Sequence, residues 1–99
     1  MRQEFYDIAA VTENGDSAVV NIEGLRDVEV QVWGTWDTAT MQVKASMDGT
    51  NYTNVGSALA ADGFLSVGSS KGTRLKITMA SAGEASSVQA TICGWRDHA

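Results

Sequence analysis

Apolar and polar residues alternate along much of the chain, most clearly over residues 27–55. The apolar members of this stretch form two sets, which are Val28, Val30 and Val32, then Ala39, Met41, Val43, Ala45 and Met47. A period of two places each set on one face of a half-buried strand. The turn residues 34–38 predict that the two strands form a central hairpin. Asp48-Gly49 predicts a second hairpin turn, because Gly accepts positive φ and Asp tolerates it.

The rest of the chain carries similar but shorter signals. The further predicted strands are 2–11, 17–23, 51–55, 64–67, 74–79 and 87–94. Residues 2–11 also fit a short helix, and we favour a strand that begins as an arm. Residues 56–63 are the least strand-like segment, and residues 57–62 within it fit a single helical turn. The pattern predicts an all-β fold, a single antiparallel β-sandwich of seven to eight short strands. Jelly-roll and immunoglobulin-like topologies both fit it.

We expect one domain over residues 1–99, with an N-terminal arm at 1–8 and a C-terminal tail at 95–99. The core is predicted from shared parity within each strand. Its expected members are Val20, Ile22, Val28, Val30, Val32, Met41, Val43, Leu75, Ile77, Val88, Ala90 and Ile92.

Composition narrows the possible partners. The length of 99 residues suits one domain with a core that needs no crosslinks, and the single cysteine excludes an intrachain disulfide. The net charge is −5 and the seven Lys and Arg residues are scattered. We therefore expect no nucleic-acid partner, because a phosphate-binding surface needs clustered cations. The first residues lack the apolar core of a signal peptide, and no apolar run approaches the roughly 18 residues of a membrane helix, so no membrane contact is expected.

Residue types that carry out chemistry are sparse, and we expect no enzyme activity, cofactor or metal site. His98 is the only histidine, and it lies beside the C-terminus, where a general base would lack a fixed geometry. Cys93 is more typical of a packed or half-exposed thiol than of a nucleophile. Asp48, Asn51 and Asn54 have oxygen ligands that suit calcium, but they lack the spacing of a calcium-binding loop, and a β-turn explains them.

Aromatic residues are the best functional candidates. Trp33, Trp36 and Tyr52 are expected around the central hairpin, with Trp33 pointing away from the core. Such residues stack on sugars, anchor protein interfaces, or serve the fold by lying in the core or covering the open end of a sandwich. All three roles stay open at this point.

The termini combine aromatic and charged residues, with Phe5 and Tyr6 near the start and Trp95 near the end. An exposed aromatic terminus becomes an anchor when it lies in an interface. We therefore expect residues 1–8 and 95–99 to contact neighbouring chains. The alternative is that Phe5 and Tyr6 belong to a first core strand.

Residues 34–43 (GTWDTATMQV) and 45–52 (ASMDGTNY) resemble a pattern in small virion proteins of tailed bacteriophages. In that pattern a Gly-x-Trp/Phe-Asp/Gly-x-Ala-Thr turn enters a strand, and Ser-x-Asp-Gly and an aromatic residue follow. Within that group the chain is most similar to capsid decoration, or cement, proteins. Thr38 departs from the pattern, since many relatives have Gly there.

The resemblance implies a structural subunit that binds the outer surface of the major capsid protein lattice and stabilises it. It implies self-association as a homotrimer, synthesis in the bacterial host cytoplasm, and a final location on the outside of the virion. It implies no catalytic residues. A carbohydrate-binding module, or a tail, fibre or head-completion component, remains an alternative.

Overall fold

The computed structural model describes residues 2–68 and 73–96, and in these the fold is all-β. Nine strands are present in the described residues, three of them only two residues long. They are β1 (Arg2–Val11), β2 (Gly15–Asp16), β3 (Val20–Asn21), β4 (Arg26–Thr35), β5 (Thr40–Ser46), β6 (Thr53–Asn54), β7 (Gly63–Gly68), β8 (Arg74–Ala80) and β9 (Ser87–Arg96). No helix in this part of the chain is long and apolar enough to cross a membrane.

The strands form two antiparallel sheets. One is four-stranded in the order β1-β9-β4-β7, and the other has the order β2-β8-β5-β6, with β3 also paired to β8. Because β2 and β3 both pair with β8, they take the place of one interrupted strand. Apart from β2 to β3 and β5 to β6, every consecutive pair of strands crosses between the sheets. This order is that of a jelly roll, which decides between the two predicted topologies.

The predicted central hairpin is wrong, because β4 and β5 lie in different sheets. The turn between them carries the chain across the sandwich. Asp37 and Thr38 have φ of 39° and 70°, and the Ala39 N–H donates to the Trp36 carbonyl at 2.7 Å. Alternation shows which face of a strand is buried but not which strand it pairs with. The second turn is confirmed: β5 and β6 form a hairpin around Asp48-Gly49.

Most of the predicted core is confirmed. Every predicted member is buried except Val20, which is half-buried in the two-residue strand β3 and packs against the core. Ile8, Leu25, Ala39, Val67 and Met79 join the core as well. The two sheets therefore enclose one continuous apolar layer, as expected for a sandwich.

The segment expected to begin as an arm lies in β1 from Arg2 onward, and it pairs with β9 from Arg2↔Arg96 to Ile8↔Ala90. Trp95 and Arg96 complete β9, whereas residues 97–99, and with them His98, lie outside the described residues. The expected helical turn near residue 59 is absent: Leu59 instead forms an isolated antiparallel bridge with Met41.

Candidate interaction face

The four-stranded sheet turns one face towards the core and the other outwards. Its inward residues are buried, for example Ile92 in β9 and Val30 in β4. Parity assigns the alternate residues to the opposite side, which we call the outer face. Its principal members are Phe5 and Asp7 in β1, Thr91, Cys93 and Trp95 in β9, Glu29, Gln31 and Trp33 in β4, and Phe64 and Ser66 in β7.

Three of the most exposed large apolar side chains of the described residues lie on this outer face. Phe5 is 63% exposed, Phe64 is 71% exposed and Trp95 is 36% exposed. Phe5 lies on one edge strand of the sheet and Phe64 on the other. Aromatic side chains gathered on one face of a small protein are typical of an interaction surface.

A shallow depression of about 240 Å³ separates the two phenylalanines. Its floor consists of Glu29, Gln31, Thr91 and Cys93. The register explains the arrangement, since Cys93 lies opposite both Phe5 and Glu29, and Gln31 lies opposite both Thr91 and Phe64. The depression therefore combines apolar walls with a floor of hydrogen-bonding groups, which suits an inserted side chain of a partner protein.

The six predicted contact residues divide into two groups. Phe5, Trp33 and Trp95 belong to the outer face, where Trp33 is half-buried. The other three are placed elsewhere, so the expected cluster of Trp33, Trp36 and Tyr52 does not form.

Trp36, Tyr6 and Tyr52 each have a structural contact. The Trp36 ring packs against the core and its Nε1–H donates to Asp62 Oδ1 at 2.8 Å. Tyr6 takes an inward position, packs against the core, and donates its hydroxyl to Glu4 Oε1 at 2.6 Å. Tyr52 lies against the other sheet, with the Lys76 ammonium 4.2 Å from its ring centroid.

Glu4 connects β1 to the end of β9. Its carboxylate accepts hydrogen bonds from Tyr6 Oη, from Arg2 Nη2 at 2.7 Å and from Arg96 Nε at 3.1 Å. These donors, the Tyr6 hydroxyl first, lower the pKa of Glu4 to about 2. Arg96 also donates to the Glu23 carbonyl at 2.9 Å. The cluster fixes the end of the sandwich beside the outer face.

Asp48, which was considered as a calcium ligand, is hydrogen-bonded within the β5–β6 turn. Asp48 Oδ1 accepts from the backbone N–H groups of Thr50 and Asn51 and from Ser46 Oγ, and Oδ2 accepts from the Asn51 amide. These donors hold the pKa of Asp48 well below its usual range. In the described residues no group of three or more His, Cys, Asp or Glu side chains is placed to hold a metal ion.

Sequence reasoning missed Phe64 as a contact residue. The signal was present, because Leu65 and Val67 share one parity and were assigned to a short strand. With Val67 buried and Leu65 packed against the core, Phe64 must point outwards.

Comparison with known proteins identifies the fold. No family model matches the chain, and no curated protein sequence matches it. Among solved structures, the SPBc2 prophage-derived protein YomS is similar with a TM-score of 0.72. The similarity covers 95% of each chain at 11% sequence identity. The fold of this chain is therefore shared with a prophage-derived protein.

Proposed function

We propose that this protein is a non-enzymatic structural component of a bacteriophage virion. Its specific role in this proposal is that of a capsid decoration subunit that binds the major capsid protein through the outer face. The observation that carries the proposal is the placement of Phe5, Phe64 and Trp95 on one face of a jelly-roll sandwich. The turn pattern at residues 34–52 and the fold shared with a prophage-derived protein support it.

A sheet face suits this role because backbone hydrogen bonds to the neighbouring strands fix the position of its side chains. An aromatic side chain on such a surface loses little conformational entropy on binding and buries a large apolar area. Polar residues between the aromatic anchors, such as Gln31 and Thr91, supply directional hydrogen bonds at the centre of the face. The proposal needs no cofactor. It places the protein on the outside of the capsid after synthesis in the host cytoplasm, and the homotrimer stays a prediction.

The direct test is co-sedimentation of the protein with capsids that lack it, using Phe64→Lys and Met47→Lys as a matched pair. Both side chains are 71% exposed, but Met47 lies in the β5–β6 loop, away from the outer face. We expect F64K to weaken capsid binding by about tenfold or more, because an aromatic anchor that is buried in an interface contributes about 2 kcal/mol or more. M47K should bind as the wild type does.

Equal binding by F64K and M47K would refute the outer face as the contact surface. Failure of the wild-type protein to bind any capsid of its phage would refute the decoration role and leave a tail, fibre or head-completion role to be tested. Electron cryomicroscopy of the parent particle would show the location directly.

A carbohydrate-binding function would use the depression on the outer face and not the tryptophan and tyrosine cluster that the sequence suggested. Trp33 and Tyr52 lie against different sheets, and Trp36 packs against the core and donates to Asp62. The remaining candidate is the depression between Phe5 and Phe64, whose polar floor offers sugar hydroxyls several partners. Specific glycan binding that is lost in Phe64→Lys, without capsid binding, would favour this function over decoration.

A further inference from the structure

Strand β1 presents the longest edge of the sandwich. From Arg2 to Ile8 it pairs in continuous register with β9 on one side, and the sheet order places no described strand on its other side. The remaining edges are shorter: β7 has six residues, and β2, β3 and β6 have two each. A long free edge offers a row of backbone N–H and C=O groups to another strand.

The usual protections of an edge strand are weak in β1. The strand contains no Lys and the chain contains no Pro. Its bulge lies only beyond Ile8, so it does not interrupt the preceding residues. Its charged residues already have partners in the same subunit: Glu4 pairs with Arg2 and Arg96, and Asp7 accepts a hydrogen bond from Thr91. The edge is therefore open to pairing from Arg2 to Ile8.

We propose that β1 pairs in antiparallel fashion with β1 of a second copy of this chain, about a two-fold axis at Phe5. Residues directly opposite each other in an antiparallel pair share one face of the sheet. Only registers centred on a residue therefore keep both outer faces on the same side. Of these, the centres at Glu4, Phe5 and Tyr6 give the longest pairing within the open part of the edge, from Arg2 to Ile8.

Side-chain chemistry selects among these three centres. A centre at Glu4 places two carboxylates directly opposite each other, which is destabilising. A centre at Tyr6 places the Phe5 ring beside the Asp7 carboxylate. A centre at Phe5 places the two Phe5 rings together, with Gln3 beside Asp7 and Glu4 beside Tyr6. It opposes no like charges and covers a side chain that is 63% exposed in the single subunit.

This pairing is isologous, so it closes at two subunits and joins two four-stranded sheets into one of eight strands. It goes beyond the decoration role and does not depend on it. It predicts a dimer, whereas the sequence resemblance implies a homotrimer. The solution mass should be twice the 10.5 kDa of one chain.

The first test measures the mass by sedimentation velocity over a range of concentrations, with Phe5→Lys and Phe64→Lys as a matched pair. Both residues lie on the outer face at opposite edges of the same sheet. F5K should weaken the dimer by about tenfold or more, because it opposes two ammonium groups in place of two rings. F64K should stay dimeric although it loses capsid binding, so failure of this pairing and failure of the decoration role are distinguishable.

The second test locates the axis by crosslinking. Phe5→Cys is made in a Cys93→Ser background, because Cys93 lies opposite Phe5 within the subunit and would compete for the thiol. Mild oxidation should join the subunits through position 5, and Phe64→Cys in the same background should stay uncrosslinked. A monomeric or trimeric wild-type mass, or equal crosslinking by the two variants, would overturn the proposal.

Discussion

The carboxylate of Asp62 holds the indole of Trp36, with Trp36 Nε1–H donating to Asp62 Oδ1 at 2.8 Å. The same oxygen accepts the backbone N–H of Gly34 at 3.1 Å. One side chain, located just before β7, thus fixes the end of β4 and the turn that carries the chain to the other sheet. Trp36, which the sequence offered as a contact residue, therefore has a structural role in this turn.

Replacement of Asp62 by Ala should destabilise the fold. Two donors lose their acceptor, and the expected loss is about 1–2 kcal/mol of unfolding free energy, since both groups have partial access to water. Asp62→Asn keeps an acceptor oxygen and should lose less. Urea denaturation followed by tryptophan fluorescence measures both. Identical midpoints for the wild type and D62A would show that water replaces Asp62 without cost.

Truncation in the core should have a larger effect. Ile77 is fully buried in β8, and Ile77→Ala should lower the unfolding free energy by about 2–5 kcal/mol because it leaves a cavity between the sheets. Val19→Ala is the control, since Val19 is 50% exposed, and its effect should stay within about 0.5 kcal/mol. Similar denaturation midpoints for the two variants would contradict the burial of this strand face.

The turn at the end of β4 predicts a specific role for glycine at position 34. Gly34 has φ of 146°, and a Cβ there would collide with the Ser87 carbonyl oxygen. Gly15 has φ of 133° but open space around it. Gly34→Ala should therefore destabilise the protein by more than about 1 kcal/mol, and by more than Gly15→Ala. If Gly15→Ala lowers the melting temperature more than Gly34→Ala does, β9 moves to accommodate the extra methyl group at position 34.

The Glu4 cluster predicts acid sensitivity with a definite sign. The pKa of Glu4 is about 2 in the folded state, against an ordinary value of 4.5, so ionised Glu4 stabilises the fold fully above the ordinary value. As the pH falls from about 4.5 towards 2, this stabilisation is lost. Glu4→Gln should be less stable than the wild type at pH 7, and the two denaturation midpoints should converge near pH 2. If the difference between the two midpoints stays constant from pH 7 to pH 2, the destabilisation by Glu4→Gln comes from the changed hydrogen-bonding geometry and not from the lost charge.

The alternation of apolar and polar residues predicted strands and their buried faces correctly where it was regular. Ile77 in β8 and Ile92 in β9 were assigned to the core correctly because each is flanked by polar residues along a regular strand. The same reasoning placed Trp33 on the outward side of β4. These inferences depend only on the two-residue period of a strand.

Pairing partners could not be predicted in the same way. The turn near Asp37 is compatible with a hairpin or with a crossing between sheets, because both need a tight reversal of the chain. Phe5 was expected in an arm, since nothing local shows that β9, at the far end of the sequence, completes its strand. The candidate face is built from four strands that are distant in sequence, and only their pairing brings Phe5 and Phe64 to the same surface.

The pairing of the first strand with the last also governs how the protein is made. Arg2 lies opposite Arg96, so among the described strands β1 has no partner until β9 has been synthesised and has left the ribosome. Such non-local pairing makes folding slow, on the order of milliseconds to seconds. Until then both edges of β1 are unpaired and Phe5 is exposed. The nascent chain is therefore prone to aggregation through β1.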